Sequence, residues 1–161
     1  MGKKNSPLID SEMRRDLLAR ARVAAEQAYV PYSNFPVGAA VLVGDGSIYT
    51  GCNVENASYG LTVCAERVAA TAAVGSGHRQ IIAVAVSAPK APRTTPCGAC
   101  RQFLNEFRPT ASDMVIILDD RDSGELVCLG ELLPQAFGPR NLDAALPADV
   151  SSKPPRGNHG G

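Results

Sequence analysis

The sequence lacks any excess of charge, because its 16 basic residues equal its 16 acidic residues. Long nucleic acids are bound largely through neutralised phosphates, so a neutral chain without a basic run is a poor candidate for such a partner. No apolar run approaches the roughly 20 residues that span a bilayer. The polar start of the chain, residues 1–7, predicts no signal peptide. These absences favour a small-molecule partner and a cytoplasmic location.

A disulfide framework is also missing, since the five cysteines are an odd number without a regular pairing pattern. Reduced thiols are therefore expected, available for metal binding or catalysis. Hydrophobic residues make up 45% and charged residues 20% of 161 residues, which suits one globular domain. We expect that domain over residues 1–145. Residues 146–161, rich in Pro, Ser and Gly, are expected to be a flexible C-terminal tail.

Hydrophobic periodicity and turn residues predict four helices and five strands. The helices are predicted over residues 12–28, 64–75, 98–107 and 129–137. The strands are predicted over residues 37–43, 47–53, 81–86, 114–118 and 126–128. A hairpin followed by strand–helix–strand units indicates an α/β fold, a three-layer α-β-α sandwich around a mixed five-stranded sheet.

Two cysteine motifs lie at predicted helix starts: CAER, which begins at Cys64, and PCGAC, which ends at Cys100. Cys97 and Cys100 are three residues apart, so their sulfurs lie on one side of a helical turn. Free N–H groups and the helix dipole there stabilise thiolates. With Cys64 as a third ligand, a zinc ion would keep one tetrahedral position open, as in catalytic sites. Arg67 is expected to offset the surplus negative charge.

Two other interpretations of these cysteines stay open on spacing alone. A C-x-x-C pair is often a redox device, although no Trp precedes it and a C-x-E motif accompanies it. A structural zinc site would need a fourth ligand, for which Cys52 and Cys128 are candidates. Both lie in predicted strands, where a free cysteine is usually a small buried hydrophobe. His78 and His159 are expected to be solvated.

C-x-E followed by P-C-x-x-C is the signature of zinc-dependent nucleobase and nucleoside deaminases. Further segments accompany it in order: PYSNFPVGAA from residue 31, GCNVENASYG from residue 51, PCGACRQ from residue 96 and ELLPQAFGP from residue 131. Over residues 8–142 the chain resembles the small homotetrameric cytidine deaminases. The resemblance implies a cytidine deaminase-like fold and subunit interfaces at the active sites.

The resemblance also implies roles for individual residues. One Zn²⁺ per subunit is expected on Cys64, Cys97 and Cys100, with Arg67 and Gln102 as partners of the thiolates. Glu66 is expected to shuttle protons, and the Ala65 N–H to hold the attacking oxygen. The substrate-binding residues implied are Asn53 and Glu55 for the ribose 3′-hydroxyl, Phe35 and Phe137 for the pyrimidine, and Ala57 and Tyr59 at an adjacent subunit's site. Phe137 is expected to come from a neighbouring subunit.

The expected activity is hydrolytic deamination of cytidine and 2′-deoxycytidine to uridine and 2′-deoxyuridine, releasing ammonia, in pyrimidine salvage. Within the same chemistry, an aminoacylnucleoside deaminase of the blasticidin-S type shares the cysteine motifs. Residues 54–58 and Phe137 favour the cytidine enzyme. A polynucleotide editor is disfavoured, because an internal nucleotide has no free 3′-hydroxyl. An alternative from another class is a zinc- or thiol-based redox or interaction module without turnover. A metal-free protein that is inert toward cytidine would favour the redox role.

Overall fold

A mixed five-stranded sheet forms the middle of the fold, as the sequence predicted. The computed structural model describes residues 9–142. Its helices are α1 (Ser11–Ala25), α2 (Ala65–Gly75), α3 (Gly98–Asn105) and the short α4 (Leu129–Leu132). Its strands are β1 (Gly38–Val43), β2 (Ile48–Cys52), β3 (Ile81–Ser87), β4 (Val115–Leu118) and β5 (Glu125–Cys128). The strand order is β2-β1-β3-β4-β5, and only β3 and β4 pair in parallel.

Two hydrophobic cores lie on opposite faces of this sheet. Successive residues of a strand point to opposite faces, so Ala39 and Val41 enter one core while Ala40 and Leu42 enter the other. The first core contains the buried residues of α2 and α3, and the second contains those of α1. Helices therefore cover both faces, which confirms the predicted three-layer α-β-α sandwich.

Two glycines let helices approach the sheet closely. A Cβ atom on Gly38 would lie 2.0 Å from the Ala21 carbonyl oxygen of α1. A Cβ atom on Gly51 would lie 2.5 Å from the Ala69 nitrogen of α2. Because real Cβ atoms essentially never come this close to backbone, a side chain at either position would push a helix away. Gly51 thus fixes the depth of α2, the helix that begins at the CAER motif.

The helix ends differ from the sequence predictions at three places, of which the smallest is α3, which ends at Asn105 rather than at residue 107. α1 stops at Ala25 rather than at residue 28. The N–H groups of residues 26–28 donate to carbonyl groups three residues earlier, and Tyr29 then forms a bridge with Val54. α4 ends at Leu132 rather than at residue 137. Pro134 explains this end, since proline disfavours helical geometry at the preceding residue. The segment that carries Phe137 is therefore a loop.

Within residues 9–142, no helix is long and apolar enough to cross a bilayer. The predicted C-terminal tail over residues 146–161 lies outside the described residues. The predicted domain boundary at residue 145 lies there as well and stays a prediction.

Candidate active site

The starts of α2 and α3 bring three thiols together. Cys64 is the N-cap residue of α2 and Cys97 is the N-cap residue of α3, and both have extended backbones. Cys100 lies one turn further along α3 and is buried. The first N–H groups of a helix have no partner within it, so both helix starts turn unpaired donors and positive dipole ends toward this cluster.

The cluster has the dimensions of a zinc site. The three Sγ atoms all lie within 4.8 Å of one another, and those of Cys64 and Cys97 are 4.0 Å apart. Two sulfurs bound at about 2.3 Å to a tetrahedral zinc ion would be about 3.8 Å apart. Soft thiolates are ligands that zinc prefers. Among residues 9–142, neither Cys52 nor Cys128 belongs to this group, which argues against a closed four-cysteine site.

Cys64 and Cys100 differ in the pKa of their thiols. The pKa of Cys64 is lowered to about 6, chiefly because the Cys100 thiol donates a hydrogen bond to its thiolate. The pKa of Cys100 is raised by the same contact, because donation to the Cys64 thiolate requires its proton. Before metal binds, Cys64 thus favours the thiolate form and Cys100 the thiol form, and loading zinc would release the Cys100 proton.

Glu66 lies beside the thiols on the first turn of α2. The residue is only 4% exposed, and burial raises the pKa of its carboxyl group. Its carboxylate also interacts with the Cys100 thiol, so the two helices meet at this pair. A buried carboxylate of raised pKa next to a metal site can accept a proton more readily than an exposed one and can return it. Geometry and environment both suit a proton shuttle.

Arg67 bridges the two helices that carry the cysteines. Its guanidinium Cζ lies 5.6 Å from the ring centroid of Phe103 on α3. Its positive charge also lowers the pKa of Cys64. This placement agrees with the predicted compensation of thiolate charge, although the direct contact of the guanidinium is with a ring.

Asn53 and Glu55 point to the same side of their extended segment, as expected from their spacing. The Asn53 amide donates to the Phe35 carbonyl oxygen and accepts from the Val37 N–H, both at 2.9 Å. The Glu55 carboxylate accepts from the backbone N–H groups of Tyr32 and Ser33. The two predicted sugar-binding residues therefore hold the loop that presents Phe35.

A short bridge joins this segment to the thiols. Val54, between Asn53 and Glu55, exchanges two backbone hydrogen bonds of 2.9 and 3.0 Å with Val63. Val63 directly precedes Cys64. The predicted sugar-binding segment and the first predicted metal ligand are thus fixed relative to each other.

The loop over residues 56–62 is exposed and carries the two residues predicted to serve an adjacent subunit. Ala57 is exposed, and Tyr59, in a 3₁₀ turn (Tyr59–Leu61), is 72% exposed. The Tyr59 ring contacts the Tyr32 ring, with centroids 5.7 Å apart. Both residues therefore lie on the exposed surface of the chain.

Phe137 lies on another exposed loop, and Gln102 holds that loop. Phe137 is 60% exposed, and its carbonyl oxygen accepts a hydrogen bond from Gln102 Nε2 at 2.9 Å. Gln102 was predicted as a partner of the thiolates, and the structure gives its amide nitrogen this other acceptor. Its contact with the thiolates stays a prediction.

Arg101 is a contributor to the site that sequence reasoning missed. Its guanidinium donates to the carbonyl oxygens of Pro96 at 2.7 Å and Leu132 at 2.9 Å, and to the Thr95 hydroxyl at 3.0 Å. The residue thereby fixes the approach to Cys97. Its position directly after Cys100 was the available signal, but spacing does not reveal which carbonyl groups a side chain will reach.

An open cavity of about 950 Å³ lies at the far end of α3. Its walls include Arg79, Arg108, Ser112, Gln135 and Gly138. None of the predicted site residues lines this cavity. The thiols and Glu66 meet elsewhere, at the starts of α2 and α3.

Comparison with known proteins gives a consistent result. Residues 11–117 match the family described as the cytidine and deoxycytidylate deaminase zinc-binding region. The chain is 47% identical over 129 residues to a cytidine deaminase of Sporosarcina psychrophila, covering 80% of this chain and 94% of that protein. It is 45% identical over 130 residues to a cytidine deaminase of Halalkalibacterium halodurans, covering 81% and 98%.

A solved structure supports the same grouping. The crystal structure of cytidine deaminase from Burkholderia pseudomallei superposes with a TM-score of 0.70 at 43% sequence identity. The match covers 76% of this chain and 98% of that chain. The shared architecture agrees with the α-β-α sandwich described above.

Proposed function

The chain belongs to the family of zinc-binding cytidine and deoxycytidylate deaminases, and from this premise we propose that it hydrolyses cytidine and 2′-deoxycytidine to uridine and 2′-deoxyuridine, releasing ammonia. The observation that carries the proposal is the buried Glu66 carboxylate beside a cluster of three thiols. We assign it to pyrimidine nucleoside salvage in the cytoplasm.

Cys64, Cys97 and Cys100 would hold the zinc ion, which supplies a Lewis acid that activates a water molecule for attack on C4 of the base. Glu66 takes a proton from that water and delivers it to the ring nitrogen N3. Glu66 then takes the second proton from the hydroxyl group now bonded to C4 and passes it to the amine, so the C4–N bond breaks, ammonia leaves and a carbonyl group remains at C4. The N–H of Ala65, at the start of α2, holds the attacking oxygen.

The sugar and the base are recognised by the segments around Asn53 and Phe35. Asn53 has one amide hydrogen left beyond its contact with the Phe35 carbonyl, and Glu55 has an oxygen left beyond its backbone contacts. Both can therefore bind the ribose 3′-hydroxyl while they hold the loop. The 3′-hydroxyl is common to both sugars, so both nucleosides should be substrates.

The complete pocket is assembled in a homotetramer. Large apolar side chains are exposed on one connected surface, namely Tyr29, Tyr32, Val54, Tyr59 and Leu61. Exposed apolar patches of this kind mark protein interfaces. In the tetramer, Ala57, Tyr59 and Phe137 reach the active sites of neighbouring subunits. Light scattering coupled to size exclusion would test the assembly, and a monomer at working concentration would contradict it.

The test of function combines zinc analysis with the loss of cytidine absorbance. We expect one zinc per chain and turnover of free cytidine and 2′-deoxycytidine, with no turnover of cytosine inside an oligonucleotide. Competing cytidine against blasticidin S distinguishes the antibiotic deaminase. A metal-free protein that leaves cytidine unchanged would return the thiol pair to a redox role.

A further inference from the structure

The loop that carries Phe137 is fixed at its backbone by two side chains of α3. The Phe137 carbonyl oxygen accepts from Asn105 Nδ2 at 3.0 Å as well as from Gln102 Nε2 at 2.9 Å. The residue as a whole is 60% exposed. Two donors on one carbonyl restrain the main chain, while the ring remains available for a contact outside the chain.

Asn105 is buried, and both ends of its amide have a partner. Oδ1 accepts a hydrogen bond from Arg108 Nη1 at 3.2 Å, while Nδ2 donates to the Phe137 carbonyl. A guanidinium can only donate and a carbonyl can only accept, so these neighbours determine which end of the amide is oxygen. The amide hydrogens therefore face Phe137.

An ion pair with the buried Asp113 holds the half-buried Arg108 in turn. Arg108 Nη2 lies 2.8 Å from Asp113 Oδ1, and the other Asp113 oxygen accepts from the Gly130 N–H at 3.2 Å. Buried polar networks with satisfied partners are rigid. The network thus connects the base of β4 with the segment that leads to Phe137, and Asn105 is its final member.

The residue after Phe137 is a glycine for a spatial reason. A Cβ atom on Gly138 would lie 2.7 Å from Asn105 Nδ2, closer than carbon and nitrogen approach without bonding. The Gly138 N–H donates to Asn141 Oδ1 at 2.8 Å, which holds the loop from its other side. The chain is therefore shaped around the Asn105 amide.

We propose that Asn105 is a positioning residue for substrate binding, which sets the location of the Phe137 ring through the Phe137 carbonyl. The inference rests on the proposed function, because that function places the ring against the pyrimidine in a neighbouring subunit. Asn105 touches no substrate itself. Since α3 also carries Cys97 and Cys100, one helix would position metal ligands for its own site and a ring for the next.

Asn105→Asp is the informative variant. Aspartate has the same shape and can pair with Arg108, but its carboxylate cannot donate to the Phe137 carbonyl. We expect KM for cytidine to rise about fivefold, the usual cost of one hydrogen bond, with kcat and zinc content unchanged. Glu106→Gln is the matched control, because it exchanges an acid for an amide at the neighbouring, exposed position and leaves the Asn105 donor and its network in place. Its KM should equal that of the wild type.

A double-mutant cycle with Phe137→Ala separates positioning from general destabilisation. If Asn105 acts through the ring, adding N105D to F137A should change KM no further. An unchanged KM in N105D alone, or full additivity in the double variant, would overturn the proposal.

A fluorescence measurement tests the same contact without activity. The chain contains four tyrosines but no tryptophan, so Phe137→Trp provides a single tryptophan on this loop, excited at wavelengths that tyrosine does not absorb. In that background, N105D should lower the emission anisotropy and raise acrylamide quenching, while E106Q should do neither. Equal anisotropy with and without N105D would overturn the positioning role. Wild-type protein inert toward cytidine would instead overturn the proposed function, and the fluorescence result would still decide the role of Asn105.

Discussion

The thiol cluster and the loops that carry Tyr59 and Phe137 differ in how far their side chains are buried within one chain. The three thiols and Glu66 are brought within contact by two helix starts of the same subunit, and Glu66 is buried. Tyr59 and Phe137, by contrast, are 72% and 60% exposed. This difference supports the proposal that the chemical step belongs to one chain, whereas a neighbouring chain completes the pocket for the base.

The first region is the thiol cluster, where replacing one cysteine should have the largest effect on zinc content and activity. In Cys100→Ala, only two sulfurs remain, so zinc content and cytidine turnover should both fall below detection. Elemental analysis and the cytidine assay check this expectation. Cys52→Ser is the control, because Cys52 lies outside the cluster, and should retain zinc and activity. Loss of zinc from the Cys52 variant would point to a four-cysteine structural site.

Glu66→Gln should remove the chemistry and leave the metal. The amide cannot move the protons, so kcat should fall by about 10²- to 10⁴-fold, the range typical of a lost general acid–base group. Zinc content should stay at one per chain. Glu106→Gln, on the exposed end of α3, should be indistinguishable from the wild type. Near-normal turnover in the Glu66 variant would show that the proton shuttle is a different group.

Phe137→Ala tests the second region. Losing a buried aromatic contact with the substrate should reduce kcat/KM for cytidine by about 10- to 100-fold, mainly through KM. Zinc content should not change, because the ring lies outside the cluster. Val23→Ala, which removes another exposed apolar side chain from α1, should leave the kinetics unchanged. An equal kinetic loss in both variants would reject a specific role for Phe137.

Asp119 belongs to neither region and should affect stability alone. Arg22 and Ser87 donate to its carboxylate, and the Arg22 contact lowers its pKa to about 2. A lowered pKa stabilises the fold above the unfolded value near 4, and this contribution disappears as the pH falls from about 4 to about 2.

In Asp119→Asn, the free energy of unfolding at pH 7 should be about 1–2 kcal/mol lower, allowing for the partial exposure of Arg22. The difference from the wild type should close toward pH 2. Urea unfolding across this pH range measures it. Asp16→Asn, which removes an exposed helix ion pair, should cost less than about 0.5 kcal/mol. A difference that stays constant to pH 2 would reject the pKa argument.

The sequence predicted best where local signals decide the outcome. The starts of α2 and α3 fall at Cys64 and Cys97 because the motif residues stand where helices begin. The end of α4 was predicted five residues too late, although Pro134 was visible, because apolar residues continue beyond it to Phe137.

The partners of long polar side chains could not be predicted. Arg101 reaches Leu132, and Asn105 reaches the Phe137 carbonyl, across 31 and 32 residues of sequence. Such contacts depend on how two segments pack in three dimensions, and spacing along the chain does not encode that. The predicted roles of the substrate-facing residues therefore came from the family resemblance.

Mixed oligomers give the most direct test of a chemical step in one chain and a pocket completed by another. E66Q and F137A chains would be co-expressed with different tags, and the mixed species isolated by sequential affinity steps. In this species, only the F137A chains carry Glu66 and only the E66Q chains carry Phe137. An active site with both residues therefore combines the two kinds of chain. We predict that a fraction of these sites regains the KM of the wild type for cytidine. A KM that stays at the value of pure F137A would contradict the account.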